Sequence, residues 1–148
     1  MRSFVGGLWA AIVAAAVLVS NTGCNTINQP TPPIAGSTND PATPEFYTGH
    51  VQPIFKKYCY RCHGGLNHRG GLNLSTRTGL LHGGESGQAI VPGDPANSLL
   101  VKLIRHEGTK KVPGPMPSKS AKLADADIAT VERWVQAGAL MPPDPPVK

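Results

Sequence analysis

The sequence predicts an all-α domain with Gly- and Pro-rich loops, on three observations. Two segments place apolar residues at three- and four-residue steps, a third begins on Asp94-Pro95, and no run alternates over a strand's length. Between these segments the glycines at 64, 65, 70, 71, 79, 83, 84 and 87 break the chain into turns. Something other than backbone regularity must therefore organise the middle.

The first predicted helix runs from Gly49 to Cys62. Val51, Ile54, Phe55, Tyr58 and Cys62 share its apolar face, and Pro53 falls early, where a helix tolerates a missing N–H. The second starts at Asp94-Pro95: Asp94 is a capping residue and Pro95 suits the first helical position. Leu99, Leu100, Leu103 and Ile104 form its stripe, and Gly108 ends it. The third covers Asp125 to Gly138, with Asp125 and Asp127 on the positive end of its dipole. Its core face is Ile128, Val131, Trp134 and Val135. Leu72-Asn73-Leu74 and Ala89-Ile90-Val91 read as short extended pieces.

Outside this globular part, residues 45–140, the chain reads as appendages. Arg2 followed by the apolar run Leu8 to Val19 has the form of an export signal over residues 1–23; a retained membrane anchor is the alternative. Cys24, after Gly23, sits where a bacterial lipobox places the cysteine that becomes the lipidated first residue. Asn21 departs from that pattern, and ordinary cleavage that discards Cys24 is the other reading. Residues 24–44 hold Pro, Thr, Asn and Ser and nothing to build a core, as expected of a flexible tether. The tail, residues 141–148, is Pro-rich and reads as frayed, with Met141 at the surface.

Composition sharpens the question of what fills the core. Of 148 residues, 17 are Gly and 15 are Pro, and only 5% are aromatic. A domain this thin in core material needs a staple, a metal or a cofactor. Three cysteines cannot make a disulfide-rich framework. The net charge of +5 comes without a run of Lys or Arg interleaved with aromatics, which gives nucleic-acid binding no support. A basic face would suit an acidic redox partner, and a merely solvated basic surface is the competing reading.

Cys59-Tyr60-Arg61-Cys62-His63 answers the question. It is C-x-x-C-H, the attachment pattern of c-type haem. Two thiols three residues apart on one turn reach the two vinyl groups of one haem, and the next residue brings an imidazole under the ring. Cys59 and Cys62 are the expected covalent anchors and His63 an iron ligand. An export signal fits, because bacterial c-type haem is attached outside the cytoplasm. A zinc half-site with His68 or His82, a thioredoxin-like pair and a plain disulfide are the competing readings.

The sixth iron ligand is sought among Met116, Met141, His50, His68, His82 and His106. Prolines 113, 115 and 117 make the loop around Met116 stiff, and a stiff loop can hold a weak thioether on iron. Met116 is the expected ligand. His50 reads as exposed or capping, and His68, His82 and His106 as solvent-facing.

These residues resemble the c-type cytochromes, and the planctomycete-type cytochrome c domain in particular. Beside the haem motif, the resemblance is carried by Val51-Gln52-Pro53-Ile54-Phe55, Gly70 to Leu74, Gly83 to Gly87, Val91 to Pro95 with Ser98-Leu99-Leu100, Met116-Pro117, Leu123 to Ile128, and Trp134 to Ala139. It implies a cytochrome c-like, haem-wrapping fold in which the first and last helices cross beside the haem and Met116 is the distal ligand. Motif and resemblance together give the expectation of one haem c and single-electron transfer with redox partner proteins, without enzymatic turnover; a haem peroxidase, a haem-based sensor or interaction module, and a zinc or disulfide structural domain are the rivals. Ser118 departs from the Met-Pro-Pro usual in that family. The location expected is the periplasm, or a membrane surface reached through a lipid on Cys24.

Overall fold

The computed structural model describes residues 39–107, 113–118 and 120–146. The expected export segment, Cys24 and most of the expected tether lie outside the described residues, as do Gly108 and residues 109–112. Among the described residues the architecture is helix-rich without a sheet, in keeping with the all-α expectation.

The chain enters at Thr43, whose hydroxyl accepts from Phe46 N and caps α1 (Pro44–Phe46). A π-helical turn, Tyr47–Val51, leads into α2 (Gln52–Tyr58). Gln52 donates to the Tyr47 carbonyl, five residues back. Pro53 gives the reason: it has no N–H, and its ring would crowd the carbonyl four residues earlier, so the wider turn lies just before it. After a break at Cys59, α3 (Tyr60–His63) closes this helical stretch. The stretch begins earlier than the periodicity predicts, but Val51, Ile54 and Phe55 are buried as expected.

A tight reverse turn follows. His63 pairs with His68 and Gly64 with Asn67 in antiparallel bridges, which leaves a two-residue strand, β1 (Asn67–His68), and a 3₁₀ turn, Arg69–Gly71. Leu74 then donates to the His63 carbonyl at 2.7 Å and returns the chain to the motif. α4 (Arg77–His82) is a helix the sequence pattern does not announce. Its cap, Thr76, accepts from Gly79 N at 3.1 Å, and Gly79 is required because a Cβ there would lie 2.7 Å from Asn73.

The Asp94-Pro95 signal marks a turn instead of a helix start. Asp94 accepts from Asn97, and the regular helix, α5, spans only Leu99–Ile104. Ser98, before it, is fully buried and uses its hydroxyl at 2.8 Å from both Val91 N and the Asp94 carbonyl. The serine hydroxyl is committed to the preceding loop, which fixes the entry to α5. α6 (Asp125–Gln136) matches its prediction, and Gly138 follows at φ 103°.

α6 packs against the π-turn and against α5. Between them lies one apolar cluster centred on Trp134, with Tyr47 at 5.4 Å and Phe55 at 5.9 Å between ring centroids. The tail departs from expectation. Trp134 donates its indole N–H to the Leu140 carbonyl at 2.8 Å, and Met141 is 7% exposed within the cluster. Asp144 accepts from the Arg77 and Thr78 amides at 2.6 and 2.9 Å and so caps α4 from a distance of 67 residues. The prolines at 142 and 143 stiffen this strap without preventing it from docking.

Candidate haem site

Cys59 stands at the break between two helical segments, and its carbonyl accepts from both Cys62 N and His63 N, at 3.0 and 2.9 Å. That double acceptance gathers the two thiols and the imidazole onto a single turn. Both cysteines are free and half-buried. Burial, with Cys62 beside it, pushes the Cys59 thiol up to about 12. A redox-active C-x-x-C needs the opposite shift, toward an accessible thiolate, so the thioredoxin-like reading loses ground.

His63 is half-buried, and burial lowers its pKa against the opposing effect of the Arg69 and Leu72 backbone. A neutral imidazole is the form that ligates a metal. Its Nδ1 is closed to solvent, and although the Arg69 and Leu72 backbone lies close, it makes no hydrogen bond of good geometry. The backbone around it is fixed on both sides, by the bridge to His68 and by the Leu74 amide. Gly64 is obligatory here: a Cβ would meet Tyr60 Cβ and Cγ at 2.9 Å.

Tyr60, inside the motif, reaches back to the first helical stretch. Its hydroxyl lies 3.1 Å from that of Tyr47, which is 1% exposed and stacked near Trp134. Burial raises the Tyr47 pKa far above the ordinary phenol value, which keeps the pair neutral. This tie between the attachment turn and the core is a contribution that sequence spacing alone does not reveal.

The other candidates fall into place as follows. His68 and His82 are exposed, as expected. His50 is half-buried against the Phe46 ring at 4.8 Å. Met141 belongs to the core and not to the surface. Met116 is half-buried, and its amide donates to the Leu103 carbonyl at 3.0 Å, so the Pro-rich loop hangs from the end of α5. His106 differs from expectation: it is half-buried, adopts φ 60°, and its Nε2 is buried without a partner. Among the described residues, no three His, Cys, Asp or Glu side chains converge as a metal-binding group, so the zinc reading finds no further ligands.

The residues therefore fit a c-type haem: two unpaired thiols on one turn, a neutral imidazole beside them, and a buried ring nitrogen still without a partner. A helix-rich fold with two thiols and an imidazole on one turn is compatible with a c-type cytochrome domain. Residues 59–117 match the family described as Planctomycete cytochrome C. No curated protein and no solved structure matches the chain.

Proposed function

We propose that this protein is an electron carrier, a c-type cytochrome with one haem held by thioether bonds to Cys59 and Cys62 and by His63 on the iron. The observation that carries the reading is the single turn that presents two free thiols and a neutral imidazole within a stretch matching a cytochrome c family. When bound, haem supplies the one-electron iron chemistry. The chain's part is to anchor, ligate and bury. Cys59 and Cys62 make the attachment permanent. Tyr47 and Tyr60 brace the attachment turn against the core. Met116, on a loop stiffened by three prolines, is the proposed sixth ligand, and a His/Met pair favours a raised potential. The haem-wrapping arrangement of a cytochrome c belongs to the same proposal, supported by the packing of α6 against the π-turn.

Function and address go together. An exported chain with a lipid on Cys24 and a tether reaching ~65–70 Å would let the domain range over a membrane surface between redox partner proteins. Cys24→Ser should then release the protein to the soluble fraction; unchanged membrane retention refutes the anchor.

The deciding experiment is mass spectrometry of protein matured in a host that attaches haem c. The denatured chain should keep one haem. An unmodified mass overturns the proposal. In the haem-bearing ferric protein, the charge-transfer band of a thioether on iron should be present and should vanish in Met116→Leu. A band that survives the substitution removes Met116 from the site.

A further inference from the structure

Among the described residues, two buried side-chain nitrogens lack a hydrogen-bond partner, His63 Nδ1 and His106 Nε2. Such atoms are rare in folded proteins, because a buried polar group without a partner forfeits its hydration. The first lies on the expected iron ligand. The second lies on a residue that sequence reading places in solvent.

His106 is held in this arrangement by its backbone. It ends α5 in the left-handed region, φ 60°, which residues other than glycine seldom adopt. Its amide donates to the Leu103 carbonyl at 3.1 Å, and the Met116 amide donates to the same oxygen at 3.0 Å. The backbone nitrogens of His106 and Met116 are therefore no more than about 6 Å apart. Both residues are half-buried. One carbonyl thus launches two side chains, one ending in a thioether and the other in an imidazole. Both are ligands for haem iron, and the imidazole is the stronger for the ferric state.

We propose that His106 is a second iron-directed ligand, held in reserve beside Met116: when the thioether leaves the sixth position, His106 Nε2 takes it. The inference rests on the haem reading above and on Met116 as the resident ligand. In that second state the orphaned nitrogen gains a partner. It also gives the protein two axial states, His/Met and His/His, separated by a movement of neighbouring side chains.

The test uses the haem-bearing protein and its ferric absorption and electron paramagnetic resonance spectra. Met116→Leu should lose the thioether band yet remain low-spin, with a bis-imidazole signature and a lowered potential. Adding His106→Ala should convert the iron to high-spin or water-ligated. Exogenous imidazole should bind the double variant roughly tenfold or more tightly than Met116→Leu, because an occupied site reduces apparent affinity by its open fraction. A high-spin Met116→Leu protein, or equal imidazole affinity in the two variants, overturns the assignment while leaving the haem reading intact. If Met116→Leu folds poorly, methionine sulfoxidation of the wild type and of His106→Ala supplies the same comparison. A chain without haem in its mass spectrum sinks the haem reading itself.

Discussion

Replacing Met141 with Ala should destabilise the domain severely, although the sequence alone places this residue in a frayed tail. The side chain is 7% exposed and belongs to the apolar cluster that contains Trp134. It follows Leu140, whose carbonyl takes the Trp134 indole N–H at 2.8 Å, so the backbone around it is fixed and collapse into the vacated space is hindered. Truncating a buried Met to Ala costs about 2–5 kcal/mol through lost burial and the residual cavity. Domains of this kind have only about 5–15 kcal/mol in total. At about 4–8 °C per kcal/mol, the midpoint of thermal unfolding should fall by roughly 10 °C or more. The assay is urea and thermal unfolding of the haem-bearing protein, followed by Trp fluorescence and haem absorbance. A frayed, solvated Met141 would change stability by less than about 0.5 kcal/mol. A change that small refutes the buried strap. The ferric thioether band should persist in Met141→Ala, since Met116 is the proposed ligand; its loss would transfer that role to Met141.

Three further perturbations bear on the same frame. Asp144→Ala removes the cap that the tail supplies to Arg77 and Thr78 and should cost about 0.5–2 kcal/mol near neutral pH. Thr78 and then Arg77 hold the Asp144 carboxyl below its ordinary value, so its contribution is present above an unfolded pKa of about 4 and lost as pH falls through the lower folded value. Parent and variant should therefore converge in acid, and a gap that widens there counts against the cap. Gly64→Ala forces a methyl against Tyr60 at 2.9 Å, with about 1–3 kcal/mol of strain expected and a shifted reduction potential; an unchanged potential and stability would show that the turn yields freely. Tyr47→Phe breaks the 3.1 Å hydroxyl pair, and with about 0.5–1.5 kcal/mol of lost stability it should shift the potential while haem stays covalently attached, whereas identical redox titrations would dismiss Tyr47 as a brace.

What could be read in the chain was whatever depends on near neighbours. The stripe Val51, Ile54 and Phe55, the stripe Ile128, Val131, Trp134 and Val135, and the stop near Gly138 follow from helical periodicity and local φ preference. C-x-x-C-H is likewise local, because its chemistry needs one turn. α4 escaped notice because two glycines lie in or beside it, Gly79 and Gly83, and because part of its capping comes from Asp144 at the far end of the chain. Asp94-Pro95 misled because Ser98 commits its hydroxyl to Val91 and Asp94, so the helix opens at Leu99. Met141 was hidden by flanking prolines, whose composition resembles a tail while their stiffness suits a strap. For His106 no local signal exists: its burial depends on the end of α5 meeting the loop that carries Met116.

The helical ends and the Gly-rich middle differ in their regular structure but share one core. Phe46, Tyr47, Val51 and Phe55 from the first helical stretch pack with Trp134 and Val135 from the last, and Leu74, Leu80 and Ile90 from the middle join the same cluster. Between them, from Gly64 to Ser98, regular structure is confined to short elements, and the chain is returned by single hydrogen bonds such as Leu74 N to the His63 carbonyl. The helical ends therefore supply the rigid frame, and the attachment turn is bolted to it through Tyr60 and Tyr47. The polar atoms still awaiting partners lie elsewhere, on His63 at the attachment turn and on His106 at the end of α5. In the proposed reading, His63 would supply one protein ligand to haem iron, and Met116 or His106 the other. On that reasoning the Gly-rich middle is not a weakness of the fold. Its small residues and tight turns would let backbone approach a large flat cofactor closely, and in the proposed reading Cys59 and Cys62 would anchor that cofactor where a thin protein core alone could not.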